Sequence, residues 1–394
     1  MMKKIPMTGD SSMLKTMNKT TLLRLIRRLA PISRAELAKL TKLTRATVSA
    51  LVEELIAERF VTETGIGASS GGRKPVLLQI DAEAGYVIGL DLRRTDVLAL
   101  VTDLRGDVVR ELRYPLQVPG DADRVLTDLV HVTRELRAEL PPSPHGVVGV
   151  GLGIAGLIEQ PSGRILFVPA HGWRQLDWRS RLQTELGIPV IIENEANLAA
   201  LAEHDIGAAQ QITEILYVSV GAGIGAGFIV NGEIYRGAGG YAGEVGHTTI
   251  EIDGRRCSCG NQGCWEMYAS EQALADELGL AYEPAVGETI VKRAESGDPD
   301  VLEALIRSGV HLGIGIGNMI HTMNPQMIVI GNSIARYRKW MQPHVEGAIQ
   351  ARFPFVPSFE APIRYSELGE TATAHGAIAY VLRELLERPN RMAG

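Results

Sequence analysis

Cysteine is nearly absent: the chain of 394 residues has three, all between positions 257 and 264. An odd count in so short a stretch excludes a disulfide framework. The chain starts MMKKIPMTGDSSMLK, with no apolar leader, and a reducing, cytoplasmic setting is expected. Long hydrophobic runs are missing too. The most apolar stretches, YVIGLDL and EILYVSVGAGIGAGFIV, are broken by glycine or charge far short of the roughly 20 residues a spanning helix needs, which excludes membrane insertion. Acidic residues are scarce in one region only. Residues 1–80 hold 14 Lys and Arg against 6 Asp and Glu, a balance of +8, and the remainder holds 26 against 40, or −14. The net charge of −6 therefore joins a basic head to an acidic body, and 45% apolar residues suffice for a substantial core in two or three domains.

In the head, NKTTLLRLIRRLA at 18–30 sets Leu22, Leu25, Ile26 and Leu29 at helical spacing, with Arg24, Arg27 and Arg28 opposite. SRAELAKL follows, where Ser33 can cap a helix and Glu36, three residues on, completes a capping box. After a link at Thr41 to Leu43, TRATVSALVEELIAERF puts Val48, Leu51, Val52, Leu55 and Ile56 on one face, with Thr44, Arg45, Thr47 and Ser49 clustered at its start. Three short helices with a turn of about four residues between the second and third follow the helix-turn-helix plan, whose last helix enters the DNA major groove by its N-terminal end. Two strand-like runs in VTETGIGASSGGRKPVLLQI flank a Gly/Ser tip that ends in Arg73 and Lys74, as in a basic wing reaching phosphates or the minor groove. Thr44, Arg45, Thr47, Ser49, Arg73 and Lys74 are thus the candidate DNA-contacting residues.

After Asp81 the pattern becomes α/β: hairpin-like strands, an amphipathic segment near Asp123 to Leu140, and the apolar strand GVVGVGLGIAG. PVIIENEANLAALAE joins a strand to a helix and leaves Glu193, Asn194, Glu195 and Asn197 exposed at the junction, where open α/β sheets bind ligands. GAGIGAG at 221–227 has glycines enough to cradle a phosphate, but the strand FIV follows it, which argues against a dinucleotide or Walker loop. The cysteines are spaced C-x-C-x4-C, with His247 ten residues upstream of the first. Cys3His is a closed tetrahedral zinc set with no position left for a catalytic water, so His247, Cys257, Cys259 and Cys264 are expected to hold a structural Zn2+. Such a site would pin the loop from 247 to 264 and so fix Glu244 and Glu266. Carboxylate, amide and imidazole groups converging with Asn194 and Glu195 suit a polyhydroxyl ligand, a sugar.

A winged helix-turn-helix followed by GLDL, ENEANLAALAE, GAGIGAGFIVNGEIYRGAGGYAGEVGH and CSCGNQGCWE resembles the ROK family of sugar kinases and sugar-responsive repressors. The likeness runs over nearly the whole chain, and SRAELAKLTKLTRATVSALVEELI with GGRKP is similar to the repressor branch, above all the xylose repressors. It implies a mainly α winged helix-turn-helix over 1–80 and then a two-lobed α/β sugar-kinase-like domain of the actin/hexokinase type. The first lobe would cover 81–200, with a C-terminal helix at 374–389 returning to it, and the second 201–373, with the zinc loop and the oligomerisation surface. Carried over from the family's motifs, the sugar-binding residues are Asn194, Glu195, Glu244, His247 and Glu266, with His247 both ligating zinc and facing the sugar.

Four departures separate the chain from the family's kinases. Glu195 stands where the catalytic base is Asp, and a base displaced by a methylene misses its hydroxyl. Where the first phosphate loop reads D-x-G-G-T, Asp91 is followed by Leu92, Arg93, Arg94 and Thr95; G-T-G becomes Gly221, Ala222, Gly223; and a Gly-Gly pair near the adenosine becomes Gly331, Asn332. These losses count against phosphoryl transfer. Ala170 and His171 also replace a more usual Asn-Leu near the cleft. The resemblance implies a non-catalytic repressor of carbohydrate-utilisation genes, a homodimer or homotetramer on double-stranded operator DNA, released by a sugar such as xylose. Two alternatives remain open: an active ATP-dependent sugar kinase, and a repressor released by a transporter's protein domain instead of free sugar.

Overall fold

The computed structural model describes residues 11–66, 75–354, 356 and 363–387. The head consists of α1 (Ser11–Leu29), β1 (Ile32–Ser33), α2 (Arg34–Thr41), α3 (Arg45–Ala57), β2 (Val61–Ile66) and β3 (Val76–Ile80), its strands ordered β1-β3-β2. Both halves of the expected capping box form: Glu36 N donates to Ser33 Oγ at 3.2 Å, and Ser33 N donates to Glu36 Oε2 at 2.9 Å. Lys42, in the left-handed region at φ 59, ends α2. Thr44 then caps α3 by accepting from Thr47 N at 3.1 Å. The turn is therefore Lys42 to Thr44, one residue later than the expected link at Thr41 to Leu43, and α1 starts well before Asn18. Arg73 and Lys74 lie outside the described residues.

The body opens with β4 (Tyr86–Leu92), β5 (Asp96–Asp103), β6 (Val108–Pro115), α4 (Ala122–Glu139) and β7 (Val147–Ile154). A small sheet of β8 (Leu157–Glu159), β9 (Arg164–Val168) and β10 (Trp173–Leu176) precedes α5 (Trp178–Leu186), β11 (Val190–Asn194) and α6 (Glu195–Asp205). Next come β12 (Ile215–Val220), β13 (Ile224–Val230), β14 (Glu233–Tyr235), α7 (Glu266–Ala269), α8 (Glu271–Glu277), α9 (Val286–Glu295) and α10 (Pro299–Met323). The described chain ends with β15 (Met327–Gly331), α11 (Arg338–Gln350), β16 (Ile363–Tyr365) and α12 (Ala372–Glu387).

Two sheets of five strands, β11-β7-β4-β5-β6 and β14-β13-β12-β15-β16, repeat one topology. In each, the first three strands in sequence are antiparallel neighbours and the last two add in parallel beside the first. This is the two-lobed α/β plan of sugar kinases. The carboxyl ends of its parallel strands carry Asp91, Asn194, Ser219 and Gly331, so a ligand cleft falls there.

The C-terminal helix α12 lies directly on β4 and β7, because a Cβ at Gly89 would stand 2.2 Å from Ala374 O and one at Gly151 2.5 Å from Ala377 O. The same helix also meets the head. Leu22, Ile26, Leu37, Val52 and Leu55 share one buried core with Ala374, Ile378, Val381 and Leu382 of α12 and with Val87, Leu100 and Leu104 of the first sheet. The helix α6 runs unbroken across residue 200, the expected boundary between lobes, and packs closely on α12, where a Cβ at Gly376 would stand 1.8 Å from Leu198 O. Among the described residues no helix is long and apolar enough to cross a membrane.

Candidate ligand cleft and metal centre

Asn194 closes β11 and caps α6. Its Oδ1 accepts from Ala196 N (2.9 Å) and Asn197 N (3.3 Å), and its Nδ2 donates to Gly156 O (3.0 Å), so the amide is fixed before any ligand arrives. Glu195, the next residue, accepts at Oε2 from Ser219 Oγ (3.2 Å), which itself accepts from Asn332 Nδ2 (3.1 Å). Burial, with Asp91 and Glu244 nearby, pushes the Glu195 carboxyl up to about 8 against the pull of the Ser219 hydrogen bond. Glu244 begins the 3-10 turn at Val245–His247, and its carboxyl is also raised by burial. Its Oε2 lies 3.8 Å from His247 Nε2. Glu266, first in α7, lies 3.3 Å from His247 Nδ1 and accepts from Cys257 Sγ at 3.0 Å. Burial acts to raise its pKa, but these hydrogen bonds outweigh it and hold the carboxyl below the usual range.

The glycines of the β12–β13 hairpin make the space these acids share. A Cβ at Gly223 would stand 2.8 Å from Glu266 Oε2, and one at Gly225 3.7 Å from Glu195 Oε1. Glu195, Glu244, His247 and Glu266 thus converge around one hairpin, with Asn194 heading the helix that presents Glu195. Glu193 and Asn197 do not join them. Both read as exposed in the sequence, yet they are 2% and 3% exposed. Side chains alternate across a strand, so Glu193 turns away from its neighbour and is neutralised from behind by Arg236 Nε at 2.7 Å.

His247, Cys257, Cys259 and Cys264 each offer one donor atom, and the four atoms lie within 4.8 Å of one another. Cys259 Sγ to Cys264 Sγ is 3.7 Å, as is Cys257 Sγ to His247 Nδ1. A tetrahedral zinc with bonds of about 2.3 Å to sulfur and about 2.0 Å to nitrogen requires edges of roughly 3.5–3.8 Å, so the donor set fits that ion. The isolated bridges Thr249↔Cys264 and Arg256↔Gln262 fold the loop into place. Gly263 sits at φ 73 with Glu251 O only 1.6 Å from where a Cβ would be, so no other residue fits there. His247 turns Nδ1 to the thiols and Nε2 to Glu244, and so belongs to both cluster and cleft. Its hydrogen bond with Glu266 lifts the imidazole to about 9; a cation at Nδ1 would displace that proton.

The positions of the kinase phosphate loops are filled by side chains. Arg93 Nε lies 3.0 Å from Asp91 Oδ2, Nη1 lies 3.1 Å from Glu370 Oε2, and Nη2 donates to Glu370 O at 2.7 Å. Glu370 also binds Arg113 and Arg336. On the opposite side Asn332, at φ 67, turns its amide toward Gly221, where a Cβ would meet Nδ2 at 3.2 Å. Neither Glu370 nor Ser219 stands out in the sequence, and no local signal could have found them: Glu370 meets Arg93 across 277 positions.

At the head, Thr44 and Arg45 are exposed at the start of α3, and Thr47 and Ser49 are half-buried one turn on. The first turn of α3 carries no acid, so Arg45 adds to the positive end of the helix dipole.

A three-helix head with a small three-stranded sheet, in front of a two-lobed sugar-kinase-like body, defines a class, and comparison with known proteins places the chain within it. Residues 87–384 match the ROK family, and the chain belongs to that family. It is 38% identical over 385 residues to the xylose repressor of Bacillus spizizenii, covering 96% of this chain and 98% of that protein. Among solved structures, a ROK family transcriptional regulator, a homologue of the E. coli MLC protein, superposes with a TM-score of 0.81 at 27% identity, covering 97% of this chain and all of the other. A ROK family glucokinase from Streptomyces griseus, in complex with glucose and AMPPNP, gives 0.67 at 26% identity, covering 75% of this chain and 99% of its own.

Proposed function

We propose that the protein is a sugar-responsive transcriptional repressor, a homodimer or larger symmetric oligomer on operator DNA, that uses a kinase-like cleft as a sensor and transfers no phosphoryl group. The observation that carries this reading is the pairing of a three-helix head, with Thr44 and Arg45 exposed at the start of α3, and an acid-lined cleft beside which Arg93 pairs with Glu370 and Asn332 packs on Gly221. Sugar hydroxyls would be bound by Asn194, Glu195, Glu244, His247 Nε2 and Glu266. A structural Zn2+ on His247 Nδ1, Cys257, Cys259 and Cys264 would hold the last two in place. Glu195 favours sensing over chemistry because it stands where the family's kinases carry an aspartate base, and the extra methylene displaces the carboxylate from the hydroxyl it would deprotonate. Thr44, Arg45, Thr47 and Ser49 would read the major groove, with Arg73 and Lys74 on the wing. Sugar bridging the lobes would change the separation of the two heads in the dimer, and so lower operator affinity, to the extent that it binds that arrangement more tightly.

Xylose is the first ligand to test. Zinc-loaded protein is titrated calorimetrically with xylose, glucose and N-acetylglucosamine, each with and without ATP, and its affinity for duplexes selected from a random pool is measured with each sugar. Saturable binding of one sugar, no ADP formed, and weakened DNA binding are expected. ADP released in step with sugar would make it a kinase. DNA binding indifferent to every sugar but abolished by a transporter's protein domain would move the effector from sugar to protein.

A further inference from the structure

Beneath the cleft, Glu193 is buried behind the turn that carries Asn194. Its carboxylate accepts from Asn194 N (2.8 Å), Asn197 Nδ2 (3.1 Å) and Arg236 Nε (2.7 Å), with Gln160 Nε2 at 3.5 Å. Asn194 and Asn197 open α6, whereas Arg236 comes from the second lobe, just past β14. The ion pair therefore joins the cleft-facing turn to the other lobe. The same guanidinium donates through Nη2 to the Tyr380 hydroxyl at 3.1 Å and lies 5.6 Å from the centre of that ring. Tyr380 belongs to α12 and packs against the core that holds Leu22 and Ile26 of the head.

We infer that Arg236 is a positioning residue that couples the Glu193–Asn194 turn to the DNA-binding head, by holding the buried carboxylate through Nε and Tyr380 of α12 through Nη2. The inference rests on the sugar-sensor reading above. Its physical basis is that a carboxylate 2% exposed keeps its cation through any rearrangement, because leaving it unpaired in the interior costs far more than moving the partner. When a ligand shifts the turn or the second lobe, Arg236 follows Glu193 and takes the Tyr380 hydroxyl with it. A second clamp prevents α6 from absorbing the shift along its length: at its far end Asp205 binds Arg383 of α12 (3.2 Å) and lies 3.8 Å from Arg27 of α1. Lysine cannot replace Arg236, since a single ammonium lacks the planar fork that reaches two partners in divergent directions.

Full-length, zinc-loaded wild type, Y380F and R236K are compared by two measurements. One is operator affinity with and without xylose; the other is amide hydrogen exchange across α1 and α12 with no sugar present. Y380F removes one hydroxyl outside the cleft and is expected to leave xylose affinity unchanged. The ratio of operator affinities without and with xylose falls by roughly 2- to 30-fold. R236K lowers that ratio and weakens xylose binding as well. Both variants exchange faster than wild type in α12 and α1. A wild-type ratio together with wild-type exchange in both variants overturns the inference. If wild type binds no xylose, the sensor reading fails on that arm, and exchange alone decides the coupling: faster exchange in α1 upholds it, unchanged exchange refutes it. If R236K does not fold, Y380F decides by the same readouts.

Discussion

Glu195 keeps a proton in the folded protein, at a pKa of about 8, that it gives up near its ordinary value of 4.5 when unfolded. The folded state therefore binds the extra proton between those values, and the contribution of Glu195 to stability turns less favourable as pH rises through that window. E195Q keeps the shape and abolishes the ionisation. Scanning calorimetry should find the variant close to wild type near pH 5 and several degrees more stable at pH 8; a difference independent of pH would mean that Glu195 is already ionised in the fold. The Cys3His cluster makes a separate prediction. Wild type should carry one zinc per chain by elemental analysis, and C264S should carry none, melt lower and lose at least tenfold in xylose affinity, since Glu266 and His247 both rest on the cluster. This cluster is legible in sequence because its three cysteines lie within eight positions of a chain that has no others. Glu193 is misread for the opposite reason: in a run of polar residues its charge signals exposure, and the cation that neutralises it is 43 positions away.

The element proposed to meet DNA is α3, and its N-terminal residue Arg45 is exposed. R45A should weaken operator binding by about 1–3 kcal/mol while leaving sugar affinity and melting temperature unchanged, measured by fluorescence anisotropy and calorimetry. A loss uniform across sequences with a shallower salt dependence would make Arg45 a phosphate contact instead of a base reader. The bounds of α2 and α3 can be read in the sequence because Ser33, Glu36 and Thr44 are local capping signals. The start of α1 cannot: its first turn has no acidic residue, and its apolar spacing becomes regular only near Leu22. The duplicated sheet topology is hidden as well. Strand order is decided by pairings such as Ile215↔Met327, more than a hundred positions apart, for which periodicity gives no clue.

For the whole molecule, the consequential contact is the core shared by the head, the first sheet and α12. Removing residues 1–80 would open the core that Ile378, Val381 and Leu382 share with the head, at roughly 1.5–3 kcal/mol for each side chain fully returned to water. The remaining chain, 81–394, should melt several degrees below the full protein and associate at concentrations where the full protein does not, as read by calorimetry and light scattering. An unchanged melting temperature would make the head an independent appendage. Since the head is built into the body, exchanging DNA preferences among such regulators is not a matter of swapping cassettes. A foreign head spliced on at residue 80 brings its own recognition helix, but on the proposed coupling it would answer to the ligand only if it also completes the core shared with Ile378, Val381 and Leu382. In this architecture, specificity for DNA and obedience to the effector are inherited through different surfaces, and a chimera can gain the first while losing the second.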